Sequence, residues 1–338
     1  MKIKENYSLK KLNTFNIDVS AKYFIAVKTE NEILKLINDE SLTTEKKVIL
    51  GGGSNILFTK DFDGIIIKNE IPGIEIIEES NGDVLVKAGG GVVWDDFVSY
   101  AVENGFGGVE NLTYIPGTVG AAPIQNIGAY GVEQQDVFHS AEALFLKDGI
   151  KKTFNKDESK FGYRSSVFKS AYRNKLIITS VIYRLTKNPI PNISYRALAS
   201  EFENRDVKSI TIKEINDTVK NIRKSKLPEP SVIGNAGSFF KNPEINKFRF
   251  DRLKKEYKDI VYYKIDDNTI KIPAGWLIEK CKFKGRKFGN TGTYKNQALV
   301  IVNYGDATGE EIVEFSRKIQ HAVYEKFNID IRPEVNII

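Results

Sequence analysis

Ile115-Pro116-Gly117-Thr118-Val119-Gly120-Ala121-Ala122-Pro123-Ile124-Gln125-Asn126-Ile127-Gly128-Ala129-Tyr130-Gly131 is a run without one charged side chain. A solvated loop of this length normally carries charges. Small residues let a large planar ligand lie against the backbone. A tight loop packed under neighbouring helices is the plainer alternative, but long loops without structure of their own are usually functional. Upstream, the strand pattern Lys47-Val48-Ile49-Leu50 runs into Gly51-Gly52-Gly53-Ser54-Asn55. Consecutive residues without Cβ let backbone N–H groups converge on an anion such as a pyrophosphate. Ile56 stands where the dinucleotide fingerprint needs its third glycine, so this motif alone reads equally well as an ordinary glycine turn.

Between and beyond these loops the pattern is mixed α and β. Asn31 to Ile37 has helical spacing, and Gly64 to Ile67 reads as a strand. Ile74 to Ile77 and Val84 to Ala88 flank Asn81-Gly82, a hairpin signal. Trp94 to Glu103 reads as a helix closed by Asn104-Gly105, and Leu176 to Leu185 as a long strand. Val207 to Arg223 and Pro273 to Lys280 follow as helices, Ala298 to Asn303 as a strand, and Gly309 to Phe327 as a long amphipathic helix. The end, Ile331 to Ile337, reads as a strand whose alternation puts Arg332, Glu334 and Asn336 on one face.

Composition narrows the function classes. The chain has 338 residues, enough for two or three domains of roughly 100–200 residues each. One cysteine, Cys281, excludes an intrachain disulfide and a four-thiolate metal site. Two histidines, His139 and His321, are too few for a His-based zinc site, and no metal is expected. The net charge of +6 is spread among acids, so nucleic-acid binding is not expected. No apolar run approaches the ~18 residues of a membrane span, and the first residues lack a signal-peptide pattern. The expectation is a cytoplasmic protein with no membrane and no obligate protein partner.

Five stretches, in order, carry a resemblance. They are Gly51 to Asn55, Ile115 to Gly131, Gly162-Tyr163-Arg164-Ser165-Ser166-Val167-Phe168, Gly234-Asn235-Ala236-Gly237-Ser238-Phe239-Phe240-Lys241-Asn242-Pro243, and Arg332-Pro333-Glu334-Val335. Together they resemble the UDP-N-acetylenolpyruvoylglucosamine reductases, over nearly the whole chain. The resemblance implies an α+β fold: a two-lobed FAD-binding domain of the vanillyl-alcohol-oxidase (PCMH) type, lobes at 1–70 and 71–220, then an α/β substrate-binding domain at 221–338. It implies FAD and NADPH, and UDP-N-acetylglucosamine enolpyruvate as substrate for peptidoglycan synthesis. Flavin would be held by Gly51, Gly52, Gly53, Ser54, Asn55, Pro116, Gly117, Thr118, Gly120, Gln125, Asn126, Gly128, Ala129, Tyr130 and Gly131. Some relatives in the wider group attach flavin through a histidine beside the glycine loop. Ser54 stands there, so non-covalent FAD is expected.

The chemistry explains why such residues are needed. Hydride adds to the β-carbon of a vinyl ether conjugated to a carboxylate, and the transient is an enolate with a doubly charged carboxyl group. It needs positive charge or an acid at the carboxylate and a proton donor at the α-carbon. By the resemblance, Arg164 and Glu334 stabilise the enolate and Ser238 protonates it. From residue type alone, Arg164 reads also as a structural ion pair, Glu334 as a solvated strand residue, and Ser238 as a helix N-cap. Tyr195 resembles the tyrosine of a loop that closes over the UDP diphosphate in one subtype, and Lys226 and Asn242 resemble diphosphate contacts. Cys281 and both histidines read as structural. The alternatives are another FAD-dependent sugar oxidoreductase of the same fold, and a non-catalytic UDP-sugar-binding protein.

Overall fold

The computed structural model describes residues 2–338, and the chain divides into two units. The first comprises 2–7, 21–53 and 63–223; the second comprises 8–20, 54–62 and 224–338.

The first unit holds two sheets. A four-stranded sheet runs Lys4–Ser8, Ser20–Val27, Phe62–Asn69, Lys47–Leu50 from edge to edge. The last two strands are parallel and require a crossover; the glycine loop 51–53 leaves the end of Lys47–Leu50. The helix Glu30–Ile37, capped by Thr29, buries Ile33 and Leu36 in a core with Ile25, Val27, Ile65 and Ile67. The five-stranded sheet runs Lys151–Asn155, Phe138–Phe145, Leu176–Thr186, Asp83–Gly89, Ile74–Ser80. Asn81-Gly82 makes the expected two-residue hairpin, with φ of 53° and 85°. The helix Trp94–Glu103 buries Trp94, Phe97, Val98 and Ala101 against Tyr183 and its neighbours. Ile115 to Gly131 is not wholly irregular: Val119–Ile124 forms a 3-10 turn whose Val119 and Ala122 are buried in the same core.

In the second unit, a four-stranded sheet runs Gly234–Ser238, Val300–Asn303, Thr291–Thr293, Lys287–Phe288, and a three-stranded one runs Glu244–Asn246, Thr269–Lys271, Tyr263–Lys264. The helix Gly309–Phe327 forms over its expected span. Thr308 and Glu311 make a reciprocal capping box at its start, and Asn328 closes it in the left-handed conformation. Phe15, from the early segment, is fully buried and meets Phe239 edge-on at 6.3 Å.

Two expected elements differ. The helix expected over 207–223 starts at Ile212 and runs to Lys226. Thr211 and Glu214 bond reciprocally at its start, and the preceding residues form a separate turn, Val207–Ser209, capped by Asp206. The expected terminal strand 331–337 is paired as a strand only at Asn336–Ile337, parallel to Ile56–Leu57. Earlier in the segment, Pro333 has no N–H to give a ladder. There the chain bonds Phe239 and Lys241 through Glu334 and Arg332, then changes partner to Asn55 at Asn336.

Candidate active site

In the first unit the two glycine-rich loops meet. A Cβ on Gly51 would stand 2.5 Å from Thr118 Oγ1, and one on Gly52 would stand 2.9 Å from the Gly117 Cα. Only glycine permits this approach. The Thr118 hydroxyl is buried there without a hydrogen-bond partner. A buried hydroxyl left unpaired is costly, so the cradle fits a ligand that brings its own polar atoms. The phosphates and ring edges of FAD suit it, with Gly51, Gly52, Gly53, Pro116, Gly117 and Thr118 as the residues to hold them.

Further along the second loop, Asn126 is fully buried and takes φ of 46°. Its Nδ2 donates to Glu133 at 2.8 Å and to the Gly162 carbonyl at 3.2 Å; its Oδ1 accepts from Gln134 and from the Gln135 N–H. That side chain is taken up in shaping the loop. Lys169 donates to Gln125 at 3.4 Å, and Gly128 offers its carbonyl to Arg164 Nη2 at 2.6 Å.

Arg164 sits in a tight turn closed by reciprocal Gly162–Ser165 backbone bonds of 3.1 and 3.0 Å. It is half-buried with φ of 51°. A non-glycine residue in the left-handed region costs roughly 1–2 kcal/mol, and the bonds from its guanidinium to Gly128 and Asn126 hold it there. The Tyr195 ring meets the Tyr130 ring edge-on at 5.2 Å, so Tyr195 joins the turn Ala129-Tyr130-Gly131.

Sequence reasoning missed Arg223 in this unit. Its Nε donates to the Tyr114 carbonyl at 3.1 Å, and Tyr114 is held at φ of 57°. Asp95 accepts from the Tyr114 N–H at 2.5 Å and from the Thr113 hydroxyl at 3.0 Å. Burial lowers the Arg223 pKa, the charges of Tyr130, Asp95 and Tyr114 raise it, and Arg164 lowers it again. Guanidinium keeps its charge through such shifts, so a fixed cation lies beside Tyr130. The signal was present: Ile215 and Val219 are buried one helical turn apart, and the next position on that face is Arg223.

In the second unit, Ser238 ends the strand Gly234–Ser238, where the pairing with Val300–Asn303 slips between Asn235 and Ser238. Such a bulge re-aims a side chain. Gly237, at φ of 66°, makes the irregularity, and the Asn235 side chain accepts from its N–H at 2.9 Å. Ser238 is exposed and begins no helix, which removes the N-cap reading. The Glu334 N–H donates to the Phe239 carbonyl at 2.8 Å, so the segments bearing Ser238 and Glu334 are neighbours. Asn55 reaches the Glu334 carbonyl at 3.5 Å, bringing Ser54-Asn55 to the same place. Asn242 Oδ1 accepts from the Ala274 N–H at 2.9 Å and so caps the helix Ala274–Lys280. Lys226 is exposed at the end of the helix Ile212–Lys226. Among the described residues no group of three His, Cys, Asp or Glu side chains is placed to hold a metal ion. No helix among them is long and apolar enough to cross a membrane.

Comparison with known proteins follows this division. A family model described as an FAD binding domain matches residues 21–153. A second, described as the C-terminal domain of UDP-N-acetylenolpyruvoylglucosamine reductase, matches residues 228–338. The chain is 47% identical over 339 residues to the UDP-N-acetylenolpyruvoylglucosamine reductase of Flavobacterium johnsoniae, covering 100% of both. It is 42% identical over 338 residues to that of Porphyromonas gingivalis, again covering 100% of both. The crystal structure of the reductase from Thermus caldophilus shares the fold, with a TM-score of 0.70 at 22% identity over 100% of this chain and 99% of that one.

Proposed function

The chain belongs to the UDP-N-acetylenolpyruvoylglucosamine reductase family, and from that premise we propose that it reduces UDP-N-acetylglucosamine enolpyruvate to UDP-N-acetylmuramate, a step in making peptidoglycan precursor, with FAD and NADPH. The observation that carries this reading is the 47% identity over the full length of both chains. The cradle at Gly51, Gly52, Gly117 and the unpaired Thr118 hydroxyl supports it from the side of the flavin.

FAD, when bound, supplies the hydride drawn from NADPH to the β-carbon of the substrate. The chain's own residues bind and handle the proton. Arg164 presents a planar, always-charged fork, the group that suits a carboxylate whose charge is growing. Its strained backbone pre-sets the direction of that fork. Ser238 donates the proton to the α-carbon; a carbanion beside a carboxylate is basic enough to take it from a hydroxyl. Glu334 completes stabilisation of the enolate. Tyr195, Lys226 and Asn242 serve the diphosphate; the bond from Asn242 to the start of a helix gives it a structural duty as well. The flavin lobes are assigned to 1–70 and 71–220 and the substrate domain to 221–338. Its place of work is the cytoplasm, where NADPH is drawn.

The test is on the purified protein. Acid precipitation should release a yellow, FAD-containing supernatant, since no histidine adjoins Ser54. NADPH oxidation should then depend on the enolpyruvyl UDP-sugar. Colour retained in the pellet would refute the non-covalent cofactor, and a flavin that NADPH fails to reduce under anaerobic conditions would favour a sugar oxidase.

A further inference from the structure

Asn111 is 1% exposed, and its amide nitrogen donates to two backbone carbonyls of different loops: Tyr130 at 3.1 Å and Asn192 at 2.8 Å. Its Oδ1 is buried and unpartnered. The reverse orientation of the amide would face its oxygen onto two carbonyl oxygens, so the donors are fixed in place. One partner belongs to the turn Ala129-Tyr130-Gly131, the other to the segment that leads into Tyr195. Further contacts join the same two segments. The rings of Tyr130 and Tyr195 lie 5.2 Å apart, and Asn192 Nδ2 reaches the Gly131 carbonyl at 3.5 Å. Asn192 Oδ1 also accepts from the Ser194 N–H at 3.1 Å and hydroxyl at 2.7 Å, which shapes the approach to Tyr195. Among these contacts, only those from Asn111 come from a side chain that is itself fully buried.

We propose that Asn111 is a positioning residue that docks the Tyr195 loop onto the Tyr130 turn, so that order on the flavin side is passed to the side chain that meets the UDP-sugar. This rests on the functional reading of Tyr195 given above. A part-buried carbonyl that loses its donor is left poorly hydrated at a cost, so without Asn111 the docked loop is disfavoured and the free, hydrated loop gains population.

Asn111→Asp keeps the shape and removes both donors; Asn111→Ser is the second variant should the first not fold. In the holoenzyme, amide hydrogen exchange across 192–197 should quicken on the order of tenfold, the worth of about one such hydrogen bond, with FAD content unchanged. The KM for the enolpyruvyl UDP-sugar should rise by about the same factor, and kcat should change less. Combined with Tyr195→Ala, the Asn111 effect on KM should largely vanish, because the two residues then act through one contact. Unchanged exchange, faster exchange with an unchanged KM, or a KM effect that persists without the Tyr195 ring would each overturn the proposal. The exchange measurement needs no substrate, so an enzyme inactive on the enolpyruvyl sugar would defeat the functional reading without deciding this one.

Discussion

Ser238 shows how far single residues can be read. The motif around it carries the resemblance, yet residue type alone fitted a helix cap as well. The bulge between Asn235 and Ser238 decides for an exposed hydroxyl at a strand end. Reduction of flavin by NADPH needs no proton donor at the substrate carbon, whereas substrate reduction does. Ser238→Ala should therefore leave the first half-reaction nearly intact and slow the second by about 10²–10⁴-fold, the usual cost of a lost general acid. Rapid anaerobic mixing of pre-reduced enzyme with substrate measures it; equal slowing of both halves would make Ser238 a structural residue. Arg164, by contrast, was recognised as a cation but not as a strained one. Nothing in Gly162-Tyr163-Arg164-Ser165 announces a left-handed arginine, because its φ is set by bonds to carbonyls many residues away. Asn126, in the run that the resemblance gives to the flavin, has its side chain bonded on all sides by the protein, a feature no motif announces.

Among the elements, those with local signals were legible. Asn81-Gly82, the helix Trp94–Glu103 and the capping box at Thr308 are specified within a few residues. The terminal segment was not, since the strand it finally pairs with, Ile56–Leu57, is distant in sequence. Cross-strand chemistry was equally hidden. Glu142, on the strand Phe138–Phe145, accepts from Ser180 at 2.7 Å and pairs with Lys87 at 2.8 Å and Lys151 at 3.4 Å, groups on three other strands of the same sheet. Burial works against its charge, but the bonds from Lys87 and Ser180 and the charges of Lys87 and Lys151 outweigh it, holding the pKa at about 2. A carboxyl depressed in the folded state stabilises above its unfolded pKa, and that share is lost as pH falls toward the folded value. Glu142→Gln should lower the melting temperature at pH 7, and the gap to wild type should close between about pH 5 and pH 2. A gap of constant size across that range would mean that the charge of Glu142 contributes nothing.

At the scale of the molecule, composition and the ordered motifs sufficed for the family, but the partition of the chain was beyond them. A contiguous piece 221–338 is the natural reading of the motifs, whereas the second compact unit also takes 8–20 and 54–62. The reason is packing: Phe15, Leu57 and Phe58 are fully buried there, and the Asn235 N–H and the Asn303 side chain bond the backbone of Thr14 and Phe15. Losing several large apolar side chains at about 1.5–3 kcal/mol each is comparable to the whole margin of a domain. A fragment of residues 224–338 should accordingly show no cooperative thermal transition by circular dichroism; a sharp one would mean that the early segments are dispensable. The bond from Thr59 to Ile338 spans 279 residues. A ribosome adding ~5–20 residues per second takes roughly 15–60 s over that distance. Until the residues around Phe239 and Ile337 are made, the nascent chain displays Phe15 and Leu57 without those partners. The pairing of Leu57 with Ile337 therefore forms late in synthesis, and the early apolar segments are where a chaperone would take hold.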